Sequence, residues 1–227
     1  MTPFRLRQEE QLSRYTAWVV AQGGEELPVQ LSTYLQANQQ ERIKRLREES
    51  VGTVLELGCS WGYVLASVTA DNPQVQAKGS AGVDRVEWNV LLARILSPYE
   101  NSGLTFIQTD VLTGLPFYDD QSFDTVLVPE ILEHLSWPNE VQQVLDTAKR
   151  LARRRVIITV PNGEHDTHEA TSPKHQWLPT QEHSLQMLQW LYRSKGDERE
   201  FTKALHTPDF FIWAQAYLPE GLFKDRT

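Results

Sequence analysis

The 227-residue chain has little to cross-link it: Cys59 is its only cysteine, so no intrachain disulfide can form, which suits a reducing compartment. It has no apolar run of membrane-spanning length, and its longest clean strand-like run is Val156–Val160. Arg5 and Arg7 are followed by polar residues, so the apolar segment of a signal peptide is missing. Positive charge is scarce as well. Lys+Arg number 22 against 30 Asp+Glu, giving a net charge of −8 with neutral histidines and a pI near 5.3. That balance withholds the global cationic field used by nonspecific nucleic-acid binders, though it leaves room for a local basic groove. No internal repeat or low-complexity tract is present. A membrane span, a secreted disulfide scaffold and a cationic nucleic-acid coat are thereby set aside, and a cytoplasmic protein is expected.

What is present is ordinary for a globular chain: 40% hydrophobic and 23% charged residues, in a length ample for a sizeable core. The first 50 residues read as helices. Leu12, Tyr15, Trp18 and Val19 share one helical face, as do Leu31, Tyr34 and Leu35, with Gly23-Gly24 and Pro28 between the two. Ile43 and Leu46 continue the second face among Arg42, Lys44, Arg45 and Arg47, a charge run expected on a solvated helix face or against an anionic substrate.

From Thr53 onward short apolar runs alternate with helix-period segments. Strands are expected at Thr53–Leu57, Ser80–Asp84, Leu104–Thr109, Phe123–Pro129 and Arg155–Val160. Trp88, Leu91, Leu92 and Ile95 make one apolar helical stripe, and Val141, Val144, Leu145, Ala148 and Leu151 a better one, opened by Pro138. A further helix is expected over Glu182–Arg193, and Phe201–Leu218 supplies two last strands. The alternation predicts a doubly wound, mostly parallel α/β sheet covered on both faces. The organisation is a helical extension or lid over 1–50 and a single α/β domain over 51–227.

The first strand ends in Glu56-Leu57-Gly58-Cys59-Ser60-Trp61-Gly62, a carboxylate followed by two glycines across a turn into a helix. Gly58 and Gly62 allow a tight turn and close approach of backbone to a ligand. Glu56 would sit beside a cationic or hydroxyl-rich group. A dinucleotide fingerprint wants glycine where Ser60 stands, and a pyrophosphate would sit poorly beside Glu56. Gly58-Cys59-Ser60-Trp61-Gly62 also matches a nucleophile elbow built on Ser60, although serine hydrolases carry several strands before theirs. A nucleoside with a charged tail is the third reading, and a turn without ligand the fourth. Asp84 closes the second strand, followed by Arg85, where a carboxylate can accept from a ribose diol. Asp110 follows the third strand, placed to accept from an adenine amino group, with Val111 and Leu112 as apolar surface. Each aspartate alone reads as a cap or turn former. Together with Glu56 they describe a site for an adenosine with a positively charged tail.

Over about Val51 to Asn162 the chain resembles the class I S-adenosylmethionine-dependent methyltransferases, whose Rossmann-like methyltransferase fold is then expected. The motifs are VLELGCSWG, GVDR, QTDVL, Leu115-Pro116-Phe117, Ser122-Phe123-Asp124, Pro129-Glu130-Ile131-Leu132-Glu133-His134-Leu135, and Val156–Val160 with Pro161-Asn162. The later motifs look like the small-molecule branch that includes quinone-biosynthesis-type enzymes. The resemblance implies S-adenosylmethionine as cofactor. Glu56, Gly58 and Gly62 would hold its methionine end, Asp84 with Arg85 the ribose, Asp110 and Val111 the adenine, and the backbone at Pro129 would close the pocket. Cys59 and Trp61 depart from the small or polar residues usual at their positions.

For an alcohol acceptor a base is needed, and His134, past the fourth strand, is the candidate; a purely local role for Glu133 and His134 is the alternative. Small-RNA terminal 2′-O-methyltransferases use an arrangement similar to Glu130-x-x-Glu133-His134 to hold a divalent metal, and His165, His168 or His175 could complete a set here. The same pattern is widespread in metal-free methyltransferases, so no metal is expected. A small-molecule methyl acceptor, such as a sugar or secondary metabolite, is expected in place of nucleic acid or membrane. Residues 163–179 read as a specificity loop or an ordinary solvated one. Trp177, Trp190, Phe210, Phe211 and Trp213 are candidates for a substrate pocket, for core, or for a homodimer surface. A serine hydrolase using Ser60 and a noncatalytic cofactor-binding protein are the competing classes.

Overall fold

Adjacent apolar residues along the central strands belong to two different cores. Val54 and Leu127 pack on one side of the sheet with Leu46, Val64, Val68 and Val90. Their neighbours Leu55, Val126 and Val128 pack on the other side with Val141, Val144, Leu145 and Met187. Successive side chains of a strand point to opposite faces, so an unbroken apolar strand requires cover on both. The computed structural model describes residues 36–96, 103–163, 175–177, 179–193 and 200–217, with single helical positions at 13, 17 and 21.

In chain order the elements are α1 (Ala37–Glu49), β1 (Gly52–Leu57), α2 (Tyr63–Thr69), β2 (Val75–Asp84), α3 (Glu87–Leu96), β3 (Thr105–Gln108), β4 (Phe123–Pro129), α4 (Asn139–Leu151), β5 (Ala152–Pro161), α5 (Gln181–Arg193), β6 (Glu200–Ala204) and β7 (Phe210–Tyr217). One-turn 3-10 helices span Val111–Thr113 and Leu132–His134. The seven strands form one sheet in the order β3-β2-β1-β4-β5-β7-β6. The first five pair in parallel, and β7 runs antiparallel to both β5 and β6. This is the doubly wound, mostly parallel α/β sheet expected. Its order reverses between β1 and β4, which opens a crevice beyond their carboxyl ends.

The stripe of Val141, Val144, Leu145, Ala148 and Leu151 on α4 is fully buried. The stripe expected on α3 is turned: Val90, Leu92 and Ala93 face inward, while Trp88 and Leu91 are exposed. The charge run on α1 departs from the solvated face that was one of its two expectations. Lys44 is exposed, but Arg42 is 2% exposed, beside Ile43 and Leu46. The helical faces expected at Leu12–Val19 and Leu31–Leu35, and the loop histidines His165 and His168, lie outside the described residues.

Candidate active site

A cavity of about 850 Å³ opens at the switch point, walled by the ends of β1, β2 and β4, the 3-10 turns that follow β3 and β4, and α1. That volume is in the range of small-molecule sites. Glu56, Gly58, Asp84, Arg85, Asp110, Val111, Pro129 and His134 all line it.

Glu56 is 1% exposed at the end of β1, and its Oε2 accepts the backbone N–H of Leu65 at 2.9 Å. Leu65 lies in the first turn of α2, where N–H groups lack intrahelical partners, so the carboxylate caps that helix from the strand beside it. Burial nevertheless pushes the Glu56 carboxyl up to about 8; the Leu65 N–H and the Arg42 guanidinium oppose the shift, and Asp84 adds to it.

Asp84 holds the turn after β1. Its Oδ2 accepts from the Ser60 N–H at 2.8 Å, and its Oδ1 accepts from the Val86 N–H at 2.8 Å and from Asn89 Nδ2 at 3.3 Å. Ser60 adopts φ 48°, so this bond fixes an otherwise strained turn. Asp110 Oδ1 accepts from the Leu112 N–H at 2.9 Å and so caps the turn that carries Val111. Gly58 has φ 71°, and a Cβ there would stand 2.6 Å from Ile131 Cδ1. Gly62 stands apart from the other glycine: it does not line the cavity. Its φ is 77° and an added Cβ would lie 2.7 Å from the Phe106 ring, so glycine is required there for packing of α2 on the sheet.

Arg42 belongs to the charge run for which contact with an anionic substrate is one of the two expectations, but a residue inside a run of arginines and lysines carries no burial signal that singles it out. It reaches the cavity from α1. Its Nε donates to Gln39 Oε1 at 3.0 Å, its Nη1 donates to Thr159 Oγ1 at 3.3 Å and lies 4.0 Å from Glu130 Oε1, and its guanidinium sits over the Phe210 ring. Glu130 itself adopts φ 51° and accepts from Thr159 Oγ1 at 2.8 Å. Tyr63, Trp61, Glu133 and His175 also line the wall. His134 and His175 pack edge to face at 4.9 Å between ring centroids.

The other expected aromatics are core. Trp177 and Trp190 stack on Trp137 at 4.6 and 5.0 Å, Phe210 and Phe211 are buried, and none of the five lines the cavity. Trp213 Nε1 donates to Ser184 Oγ. The Ser60 reading lacks its base, since among the described residues no imidazole hydrogen-bonds to the Ser60 hydroxyl.

The sequence model of the family described as "Methionine biosynthesis protein MetW" matches residues 38–181, a stretch that holds every residue of the cavity wall. The chain belongs to the MetW family. No sequence among the curated proteins matches this MetW-family chain. Solved structures do resemble it in fold. The methyltransferase domain of a bacterial Hen1 is 17% identical, with a TM-score of 0.62 over 79% of this chain and 98% of the other. A SAM-dependent methyltransferase from Archaeoglobus fulgidus is 14% identical, with a TM-score of 0.60 over 85% and 100%. The [4+2]-cyclase SpnF is 14% identical, with a TM-score of 0.59 over 79% and 82%. The MetW-family chain thus has the Rossmann-like fold of class I SAM-dependent methyltransferases. The cyclase illustrates that this fold also serves other chemistry, so function must be argued from the site.

Proposed function

We propose that the cavity binds S-adenosylmethionine and that the protein transfers its methyl group to an oxygen or nitrogen of a small molecule, such as a sugar or a secondary metabolite. One observation carries the proposal: Glu56, Asp84 and Asp110, from three separate strand ends, face one cavity. The donor set suits the group. A buried carboxyl with its pKa raised to about 8 is stabilised by a neighbouring cation, and a sulfonium or ammonium supplies one. A carboxylate offers about four acceptor sites. Three donors already reach Asp84, so one ribose hydroxyl fits directly and a second displaces Asn89, its longest partner at 3.3 Å. Asp110 spends one oxygen on Leu112 and keeps the other for an adenine amino group, with Val111 against the ring.

When bound, the cofactor supplies an electrophilic methyl, which needs little activation. The residues of the chain orient the acceptor in line with it and exclude water. For an alcohol, His134 on the cavity wall would take the hydroxyl proton as the new carbon–oxygen bond forms. The buried Arg42 adds a cation that favours polar or anionic acceptors over apolar quinone-like ones. RNA is the competing acceptor, as one structural neighbour is described as the small RNA methyltransferase HEN1; the net charge of −8 gives a polyanion no general attraction.

Methyl-labelled cofactor incubated with the protein and a panel of sugars, amines, secondary metabolites, intermediates of methionine biosynthesis and RNA tests the proposal. Label should move to a small molecule, and His134→Asn should lower kcat while leaving cofactor affinity in place. Tight cofactor binding without turnover on any acceptor favours a noncatalytic binder, and transfer to RNA overturns the small-molecule assignment.

A further inference from the structure

Arg42 carries a buried charge that the chain itself answers in part. The side chain is 2% exposed and lines the cavity from α1. A guanidinium offers five N–H donors. Two of them go to neutral oxygens: Nε donates to Gln39 Oε1 at 3.0 Å and Nη1 to Thr159 Oγ1 at 3.3 Å. Among the described residues no acceptor reaches Nη2. Glu130 Oε1 accepts from the Thr159 hydroxyl and stands 4.0 Å from Nη1, beyond hydrogen-bonding distance. A buried charge is costly unless it is paired and hydrogen-bonded, so this guanidinium calls for an anion from the cavity it lines.

Its place in the sheet indicates which anion. Glu56, Asp84 and Asp110 stand at or just after the ends of β1, β2 and β3, on one side of the switch point. Arg42 contacts the other side, β5 through Thr159 and β7 through the Phe210 ring, whose centroid lies 5.4 Å from its guanidinium carbon. Between the two sides lies β4, and the turn after it carries His134. A ligand held at Arg42 and extending toward the three carboxylates therefore crosses the end of β4 beside His134. Charge narrows the choice. Glu56, Glu130 and Glu133 wall the same cavity, so one guanidinium among three carboxyl groups suits a monoanion and disfavours a dianionic phosphate. A planar carboxylate matches the guanidinium fork.

We propose that Arg42 binds a carboxylate of the methyl acceptor, which makes the acceptor a small hydroxy or amino acid rather than a neutral sugar. Naming this ligand the acceptor rests on the methyl-transfer reading; the carboxylate site itself does not. Arg42 holds the acceptor at the end remote from the reacting atom, and so sets which molecules enter rather than how fast the methyl moves.

Matched probes test this on the full chain. L-lactate, L-serine and 4-hydroxybutyrate are each compared with the corresponding primary amide, which keeps the shape and loses the charge. Ligand-observed nuclear magnetic resonance reads their binding with and without S-adenosylhomocysteine. At least one acid should bind at least tenfold more tightly than its amide, and Arg42→Met should erase that margin while the amides bind as before. Arg42→Lys should recover part of it at most, since an ammonium lacks the fork. The wild-type comparison needs no variant, and circular dichroism verifies that both variants fold. Equal binding of every acid and its amide, or a margin that survives Arg42→Met, overturns the proposal. The carboxylate of the cofactor is checked separately, with S-adenosylhomocysteine against 5′-methylthioadenosine, which lacks the amino-acid tail. Arg42→Met should change the two affinities by the same factor. A loss confined to S-adenosylhomocysteine gives Arg42 to the cofactor and overturns the acceptor assignment. Failure of both nucleosides to bind the wild-type chain counts against the cofactor reading instead, while acid selectivity lost in Arg42→Met would still establish the carboxylate site.

Discussion

The backbone N–H of Ser60 donates to Asp84 Oδ2 at 2.8 Å, tying the turn after the first strand to the end of the second. The bond gives Asp84 two duties, since the same carboxylate that faces the cavity also sets the path of the loop beside it. Asp84→Ala should therefore lower stability and ligand affinity together. Ser60, Val86 and Asn89 all lose their acceptor, a loss of about 3 kcal/mol given that unpaired, partly buried donors cost on the order of 1 kcal/mol each. Urea denaturation and S-adenosylhomocysteine calorimetry on the same protein measure both effects. A variant that lost affinity at full stability would place Asp84 in ligand contact only.

Glu56 predicts a pH dependence with a definite sign. Its folded pKa, about 8, lies above its ordinary value of 4.5. The stability associated with its protonated form is complete below the ordinary value and is lost as pH rises toward 8. Relative to Glu56→Gln, the unliganded protein should lose stability between about pH 5 and pH 8, by about 1.4 kcal/mol per pH unit at most. Binding of a cationic ligand should show the opposite trend, tightening as pH rises through that window because the carboxylate must ionise. Parallel pH profiles of the two proteins would contradict the assignment.

Gly62 offers a test that separates packing from binding. Gly62→Ala meets both a left-handed backbone and the Phe106 ring at 2.7 Å, so a destabilisation of roughly 2–4 kcal/mol is expected. Phe106→Leu should recover part of it, since the two changes share one contact. Folded Gly62→Ala should bind nucleoside much as the parent does. Affinity lost without loss of stability would return Gly62 to the binding surface.

Arg42→Met should destabilise by about 1–3 kcal/mol, because it removes the guanidinium that donates to Gln39 Oε1 and Thr159 Oγ1 and the nearby cation beside Glu130. Arg42→Lys should not restore stability, as an ammonium lacks the fork that reaches Gln39 and Thr159 together. Thermal unfolding of the two variants measures this, and full rescue by lysine would show that charge alone matters at this position.

Much of this architecture is legible in the sequence. Phe123–Pro129 is a strand with the bounds its apolar run suggests, and the α4 stripe is buried throughout. The start of β2 is not legible, because beyond the buried Val75 the residues Gln76, Lys78 and Gly79 are exposed and break the apolar run, and backbone pairing of Val75 and Gln76 to β1 marks the strand. The inward face of α3 is shifted because Val90 and Ala93, small and unassuming in sequence, fill the space beside Phe106 that Trp88 and Leu91 would overfill. Within the site, Glu56, Asp84 and Asp110 can be named from their positions at strand ends. Arg42 cannot be separated from its charged neighbours, and His175 is brought to His134 across a long sequence separation with the help of hydrogen bonds made by the residues beside it.

The claim that matters most is that three carboxylates at three strand ends serve one nucleoside. Calorimetric titration of S-adenosylhomocysteine into the wild-type chain and into Asp110→Ala tests it most directly. One site per chain, weakened at least about tenfold by removal of a charge-assisted hydrogen bond, is the predicted result. No binding to the wild-type chain, or equal binding to both, would contradict it.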